Sequence, residues 1–175
     1  LIGGPDEAEL GSVAARALRA VCRADYITID PHKLGYVPYA CGAFLTRDKG
    51  RYAVSAFDAP YLDRPELGSG KWSSTLEGSR SAAGAAATWL TGKTLGFDPE
   101  GLGALLAETI RARRQFQAAV GAALPFVRFL EPSDTNIVCF SIADDGEALS
   151  RSNPRTEALF TAFHASAAFS VSKTT

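Results

Sequence analysis

Apolar side chains recur at steps of three and four residues over two long stretches of the chain, and this spacing predicts amphipathic helices. The first stretch covers residues 7–23, where Arg16, Arg19 and Arg23 lie on other sides of the predicted helix. The second begins at Asp98-Pro99, an N-cap followed by proline at the first helical position, and ends before Pro125. Its apolar positions are Leu102, Leu105, Leu106, Ile110, Val120 and Leu124.

Two more helices are predicted from other signals. Residues 78–90 consist mainly of Ala, Gly and Ser, which allow close packing, and Gly92 and Gly96 indicate where this helix ends. A last helix is expected to begin near Asn153-Pro154. The large side chains expected in the core are Trp89, Phe116, Leu159, Phe160 and Phe163.

Short apolar runs between these helices predict β-strands. Residues 26–29 are β-branched or aromatic, and Asp30-Pro31 ends the run because proline cannot donate to a sheet. Residues 42–46 are apolar enough to predict a strand covered on both faces. The other predicted strands are 126–130 and 136–142, joined by a turn at 131–134, and 168–171.

The order of these elements changes near residue 97. Before it, helices alternate with apolar strands, which is typical of an α/β layer fold. After it, a helix, two strands joined by a turn, and another helix suggest a smaller α+β unit. The sequence therefore predicts two parts, 1–97 and 98–175.

Composition and charge exclude several classes of function. With 46% hydrophobic residues, 21% charged residues and a net charge of -1, the chain reads as globular and lacks a basic surface for nucleic acid or an anionic membrane. No apolar run approaches the roughly 18 to 20 residues of a membrane span. Three widely spaced cysteines without a CxxC pair predict reduced core residues rather than a disulfide or metal site, and hence a cytoplasmic protein.

Lys33 is the first candidate for chemistry. It follows a predicted strand directly, stands next to His32 and precedes Gly35, a place where α/β folds hold ligands. A desolvated lysine there could form a Schiff base with an aldehyde cofactor. From position alone, a surface turn lysine and a hydrogen-bonded turn histidine remain open alternatives.

The residues around Lys33 resemble a known family. Residues 27–39, Ile-Thr-Ile-Asp-Pro-His-Lys-Leu-Gly-Tyr-Val-Pro-Tyr, are similar to the cofactor-lysine segment of the group II pyridoxal-phosphate-dependent decarboxylases, especially the bacterial tyrosine decarboxylase branch. The similarity continues through 41–45 and returns at 75–80, Thr-Leu-Glu-Gly-Ser-Arg. It implies the PLP-dependent transferase fold type I, aspartate aminotransferase-like, with 1–97 as the second half of the large domain and 98–175 as the start of the C-terminal small domain.

The resemblance also implies roles for individual residues. Lys33 would hold pyridoxal 5'-phosphate as a Schiff base, and His32 would lie near the phosphate and the lysine. Tyr39 matches a catalytic phenol that donates a proton to the substrate α-carbon, although a packed loop aromatic is an equal alternative. Ser79, with Gly78, would bind the phosphate of the neighbouring subunit, as a helix N-terminus favours an anion; a plain N-cap serine is the alternative.

Two departures from the family pattern matter. Asp30 stands where several relatives have Asn, and a carboxylate would repel phosphate, so its role as a phosphate ligand is in doubt. The family's aspartate for the pyridine nitrogen and its stacking ring have no counterpart before Asp30. We therefore expect an internal fragment that carries the lysine half of a pocket and is not a competent enzyme by itself.

The resemblance implies decarboxylation of an L-amino acid, with an aromatic one such as tyrosine as first choice, to the amine and carbon dioxide. It implies a homodimer with an active site shared across the interface, and no metal. A PLP-dependent lyase or desulfurase of the same fold is the nearest alternative. A non-catalytic or truncated relative that retains dimer contacts is another.

Overall fold

The computed structural model describes residues 11–55, 81–167 and 170–173. These residues belong to two compact units. The first contains residues 15–55 and 81–104, and the second contains 11–14, 105–167 and 170–173. The elements of the described chain are helix α1 (Ser12–Ala20), strands β1 (Tyr26–Ile29) and β2 (Ala43–Thr46), helices α2 (Ala83–Thr94) and α3 (Ala104–Ala123), strands β3 (Val127–Phe129) and β4 (Phe140–Ile142), and helix α4 (Leu149–Ser166).

Strands β1 and β2 form an antiparallel pair in which Tyr26 faces Thr46 and Ile29 faces Ala43. The β2 strand was expected to be covered on both faces, and this expectation is wrong for the described chain, because Phe44 and Leu45 are 52% and 46% exposed. The physical reason is that a two-stranded sheet leaves both faces open unless other layers cover it. On one face the Tyr26 ring stacks on Phe44, with centroids 5.8 Å apart.

Helix α2 packs closely against the loop before β2 through its small residues. A Cβ atom added at Gly84 would lie 2.7 Å from Cys41 Cβ, so only glycine allows this approach. The helix ends at Thr94, between Gly92 and Gly96 as predicted, but it begins at Ala83, and residues 81 and 82 of the predicted 78–90 helix are not helical. Gly92 stays helical beside Phe97, and Gly96, with φ +83°, follows the end of the helix.

The predicted start of the next helix is confirmed. Asp98 caps it, since its Oδ1 accepts a hydrogen bond from the Gly101 amide at 2.7 Å. A single π-helical turn, Pro99–Gly103, leads into α3. Within α3, Ala107 and Ile110 are buried.

In the second unit, β3 and β4 pair antiparallel with Val127 facing Ile142, as the predicted hairpin requires. Strand β4 is shorter than the predicted 136–142. Helix α4 begins at Leu149, before the predicted start at Asn153-Pro154, so Pro154 lies inside the helix. The reason is that the Ala148 carbonyl already accepts the first helical hydrogen bonds, from the amides of residues 151 and 152.

Several residues expected in the core are exposed. Trp89 is 65% exposed and Phe116 is 48% exposed, so both core assignments are wrong for this chain. The cysteines are unpaired as predicted, but Cys22 and Cys139 are exposed rather than buried. The predicted strand at 168–171 lies partly outside the described residues, and the described remainder, 170–171, is not a strand. None of the described helices has the length and hydrophobicity needed to cross a bilayer.

Candidate functional site

A tight turn follows β1 and carries the candidate lysine. The Lys33 amide donates to the Asp30 carbonyl at 3.0 Å, and the Val37 amide donates to the Pro31 carbonyl at 3.1 Å. A Cβ atom at Gly35 would lie 2.4 Å from the Pro31 carbonyl oxygen, so a side chain cannot be placed there without moving backbone. The sequence Asp-Pro-His-Lys-Leu-Gly therefore folds into a closed turn at the end of the strand.

The Lys33 side chain projects from this turn and is 68% exposed. Its Nζ atom lies 2.6 Å from Oδ2 of Asp30, three residues earlier. The hydrogen bond from Lys33 holds the pKa of the Asp30 carboxyl below its ordinary value; partial desolvation opposes this shift, and the positive charges of Lys33 and His32 add to it. A desolvated amine was expected at Lys33, whereas within this chain its side chain is exposed and paired with the Asp30 carboxylate.

His32 ties the turn to the second half of the loop. The Cys41 amide donates to Nδ1 of the ring at 3.2 Å, and the Cys41 carbonyl oxygen also contacts Nδ1. One tautomer cannot satisfy both contacts, but either one fixes the ring through Nδ1. Because Nε2 lies on the opposite side of the ring, it is the nitrogen left to contact a ligand.

The structure thus brings Lys33, His32 and Asp30 together on one turn. Tyr39 belongs to the same loop and is 48% exposed within this chain. Gly78 and Ser79 lie outside the described residues.

A mainly apolar cleft of about 620 Å³ lies between this loop and α2. Its wall on the loop side includes Pro31 and Cys41, and its wall on the helix side includes Thr88 and Trp89. The Thr88 hydroxyl donates to the Gly84 carbonyl at 2.8 Å and contacts the Cys41 sulfur at 3.5 Å, which fixes the helix against the loop. Within the described chain, the side chains of Lys33, His32 and Tyr39 do not line this cleft, so the cleft is not assigned to the cofactor.

The groups on the turn fit a pyridoxal cofactor. A primary amine such as that of Lys33 is the group that bonds to an aldehyde, and a ring N–H such as that of His32 can contact a phosphate. In residues 11–55, 81–167 and 170–173 no three His, Cys, Asp or Glu side chains gather as metal ligands would.

Sequence reasoning missed two contacts of the turn. It treated Asp30 only as a doubtful phosphate neighbour and did not find its ion pair with Lys33. The signal available in the sequence for this ion pair was the three-residue spacing of Asp30 and Lys33, with Pro31 between them. The contact of His32 with the Cys41 backbone had no signal in the sequence, because it depends on the return path of the loop.

The fold is shared with known structures. A crystal structure of Oryza sativa TDC with PLP and tryptamine superposes with a TM-score of 0.78 at 17% sequence identity, covering 92% of this chain and 34% of that one. This likeness confirms the fold class predicted from the sequence, the fold type I α/β architecture.

A family model described as the pyridoxal-dependent decarboxylase conserved domain matches residues 10–143. The chain belongs to the pyridoxal-dependent decarboxylase family, which confirms the family and the cofactor class predicted above.

Two curated relatives show how much of such a protein the chain represents. It is 37% identical over 101 residues to the L-tyrosine decarboxylase of Enterococcus faecium, covering 57% of this chain and 16% of that protein. It is 35% identical over 114 residues to the L-aspartate decarboxylase of Thermococcus kodakarensis, covering 65% of this chain and 28% of that protein. The chain therefore spans less than a third of the length of these relatives.

Proposed function

We propose that the protein carrying this chain removes the α-carboxyl group of an L-amino acid, releasing carbon dioxide and the amine, with pyridoxal 5'-phosphate bound to Lys33. The observation that carries the proposal is the closed turn after β1, which presents an exposed amine beside an imidazole fixed through Nδ1. Relatives named L-tyrosine and L-aspartate decarboxylase support the reaction class. Tyrosine or another aromatic amino acid is the first substrate to test.

The cofactor, when bound, supplies a protonated ring that accepts the electron pair left by departing carbon dioxide. In this proposal Lys33 would hold the cofactor through its amine before the substrate binds, and Nε2 of His32 would donate a hydrogen bond to the cofactor phosphate. The Tyr39 phenol, exposed on the same loop, returns a proton to the substrate α-carbon. Gly78 and Ser79 of one subunit would bind the cofactor phosphate held in the other subunit.

The proposal extends to assembly and location. Residues 1–97 would be the second half of the large domain and 98–175 the start of the small domain. The compact units of the described chain divide between residues 104 and 105, with residues 11–14 grouped with the second unit. The protein would act in the cytoplasm as a homodimer with an active site built from both subunits. The exposed Phe44, Leu45 and Trp89 supply apolar surface that further parts of such an assembly would cover.

The test uses the full-length protein, loaded with pyridoxal 5'-phosphate and supplied with carboxyl-labelled tyrosine, aspartate and other amino acids. We expect visible absorbance from the bound cofactor and release of labelled carbon dioxide from one substrate class. Lys33→Ala should lose both signals, while Lys49→Ala, which removes an exposed lysine from the 3-10 helix Lys49–Ser55, should retain them.

The outcomes separate the alternatives. Absorbance that depends on Lys33, without carbon dioxide from any amino acid, would refute decarboxylation and favour a lyase or desulfurase. A full-length protein that binds no cofactor would favour a non-catalytic relative.

A further inference from the structure

Asp30 lies between the two halves of the loop that carries the candidate site. Its Oδ2 atom is 2.6 Å from Nζ of Lys33. Its Oδ1 atom is 3.3 Å from the position that a Cβ at Gly42 would occupy, so the carboxylate also lies close to the backbone on the far side of the loop. The Asp30 side chain is 35% exposed, about half the exposure of the Lys33 side chain at 68%. The carboxylate is therefore the more enclosed partner, and its position determines where Nζ of Lys33 lies in the ion pair.

This pair differs from the two other acid–base pairs found among the described residues of the first unit. Asp48 and Arg51 have the same spacing of three residues, but their ion-pair atoms are 3.7 Å apart and both side chains are more than half exposed. Arg47 and Asp25 are 4.0 Å apart. Only the Asp30–Lys33 pair among these three is short enough for a strong hydrogen bond between charged groups.

We propose that Asp30 is a positioning residue for Lys33: in the cofactor-free protein its carboxylate holds Nζ on the turn, and it must release Nζ before that atom can bond to a cofactor aldehyde. The proposal rests on the proposed function, since it assigns Lys33 to an aldehyde. A carboxylate at this position would repel the cofactor phosphate. Its pairing with the Lys33 amine on the same turn gives Asp30 a different role.

The step balances as an ordinary condensation. The Lys33 ammonium leaves the Asp30 carboxylate and gives one proton to solvent. The free amine adds to the aldehyde carbon, a carbon–nitrogen double bond forms, and the aldehyde oxygen departs as water. Breaking the Asp30–Lys33 ion pair adds to the free energy needed before the carbon–nitrogen bond can form. Removing the Asp30 charge should therefore make Lys33 bond to the cofactor aldehyde faster. Exposed ion pairs are worth little individually, and the expected acceleration is about two- to fivefold.

The experiment follows capture of pyridoxal 5'-phosphate by the cofactor-free full-length protein, stopped at timed intervals with sodium borohydride and measured by mass spectrometry of the Lys33 peptide. Asp30→Asn should capture about two to five times faster than the unmodified protein at neutral pH. Asp30→Glu keeps the negative charge and should capture the cofactor as slowly as the unmodified protein. If Asp30 acted only through its shape, Asp30→Glu would not be expected to restore the slow rate. Asp48→Asn, the matched control, removes a carboxylate with the same spacing and should leave the rate unchanged.

A second readout separates this inference from the proposed function. Trace labelling with acetic anhydride, without cofactor, reports the reactivity of Lys33 relative to Lys49 in the same sample. Faster labelling of Lys33 in Asp30→Asn supports the inference even if no variant binds pyridoxal 5'-phosphate, a result that would overturn only the proposed function. Equal capture and equal labelling in Asp30→Asn and the unmodified protein would overturn the inference.

Discussion

Replacing Gly35 by alanine should disrupt the turn that presents Lys33. The added Cβ would lie 2.4 Å from the Pro31 carbonyl oxygen, 2.9 Å from Pro31 Cα and 3.1 Å from its carbonyl carbon. All three atoms belong to the backbone, so no side-chain rotation can relieve the contact and the turn itself must move. Overpacking of this kind costs typically 1–3 kcal/mol, and we expect about 3 kcal/mol because backbone has to yield.

The assay is urea denaturation of the full-length protein followed by circular dichroism, with retention of pyridoxal 5'-phosphate after gel filtration as a second measurement. Gly121→Ala is the matched control, since its added Cβ would meet the Phe129 ring at 3.8 Å, an ordinary contact within α3's own unit. Alanine is the better helix former, so this control should be neutral or more stable by up to about 1 kcal/mol. A Gly35→Ala protein within about 0.5 kcal/mol of the unmodified protein and with full cofactor retention would refute the reasoning.

Three other changes probe the remaining structure. Asp98→Ala removes the cap at the start of the π-helical turn before α3 and should cost about 1 kcal/mol in urea denaturation; an unchanged midpoint would contradict the cap. Thr156→Val removes the hydroxyl that accepts a hydrogen bond from the Ile142 amide at 2.9 Å, and it should lower the free energy of unfolding by about 1–3 kcal/mol. The control Thr156→Ser keeps the hydroxyl and should lower it less. The lowered pKa of Asp30 means that its pairing with Lys33 is fully present above the ordinary value of 3.8 and is lost as the pH falls through the lower folded value. An NMR titration of the Asp30 carboxyl carbon should have its midpoint below 3.8, and a midpoint above it would contradict the ion pair.

Local sequence rules predicted the elements whose causes are local. Tyr26–Ile29 is a strand because its β-branched and aromatic residues favour one and Pro31 ends it, and the Asp98-Pro99 pair starts a helix through a cap that the structure contains. The predicted start of α4 was wrong because Pro154 was taken to mark the first turn of the helix. The helix begins earlier, where the Ala148 carbonyl accepts the first helical hydrogen bonds, and Pro154 lies inside it.

Burial was harder to predict than secondary structure. Apolar residues correctly predicted β2, and a run of small residues correctly predicted α2. Leu45 and Trp89 are nevertheless exposed in the described chain, because burial depends on which layers cover an element. The same limit applies to the candidate site. His32 and Lys33 were proposed as site residues from their neighbours in the sequence. The hydrogen bond that anchors His32 to Cys41 could not be predicted in this way, because it depends on a loop that returns nine residues later.

The central claim is that Lys33 carries the cofactor, and direct identification of the modified lysine tests it best. The full-length protein is saturated with pyridoxal 5'-phosphate, reduced with sodium borohydride, digested and analysed by peptide mass spectrometry. The account predicts a phosphopyridoxyl group on Lys33 at close to one per chain, with Lys49 and Lys93 essentially unmodified. Modification concentrated on another lysine, or spread evenly over exposed lysines, would contradict it.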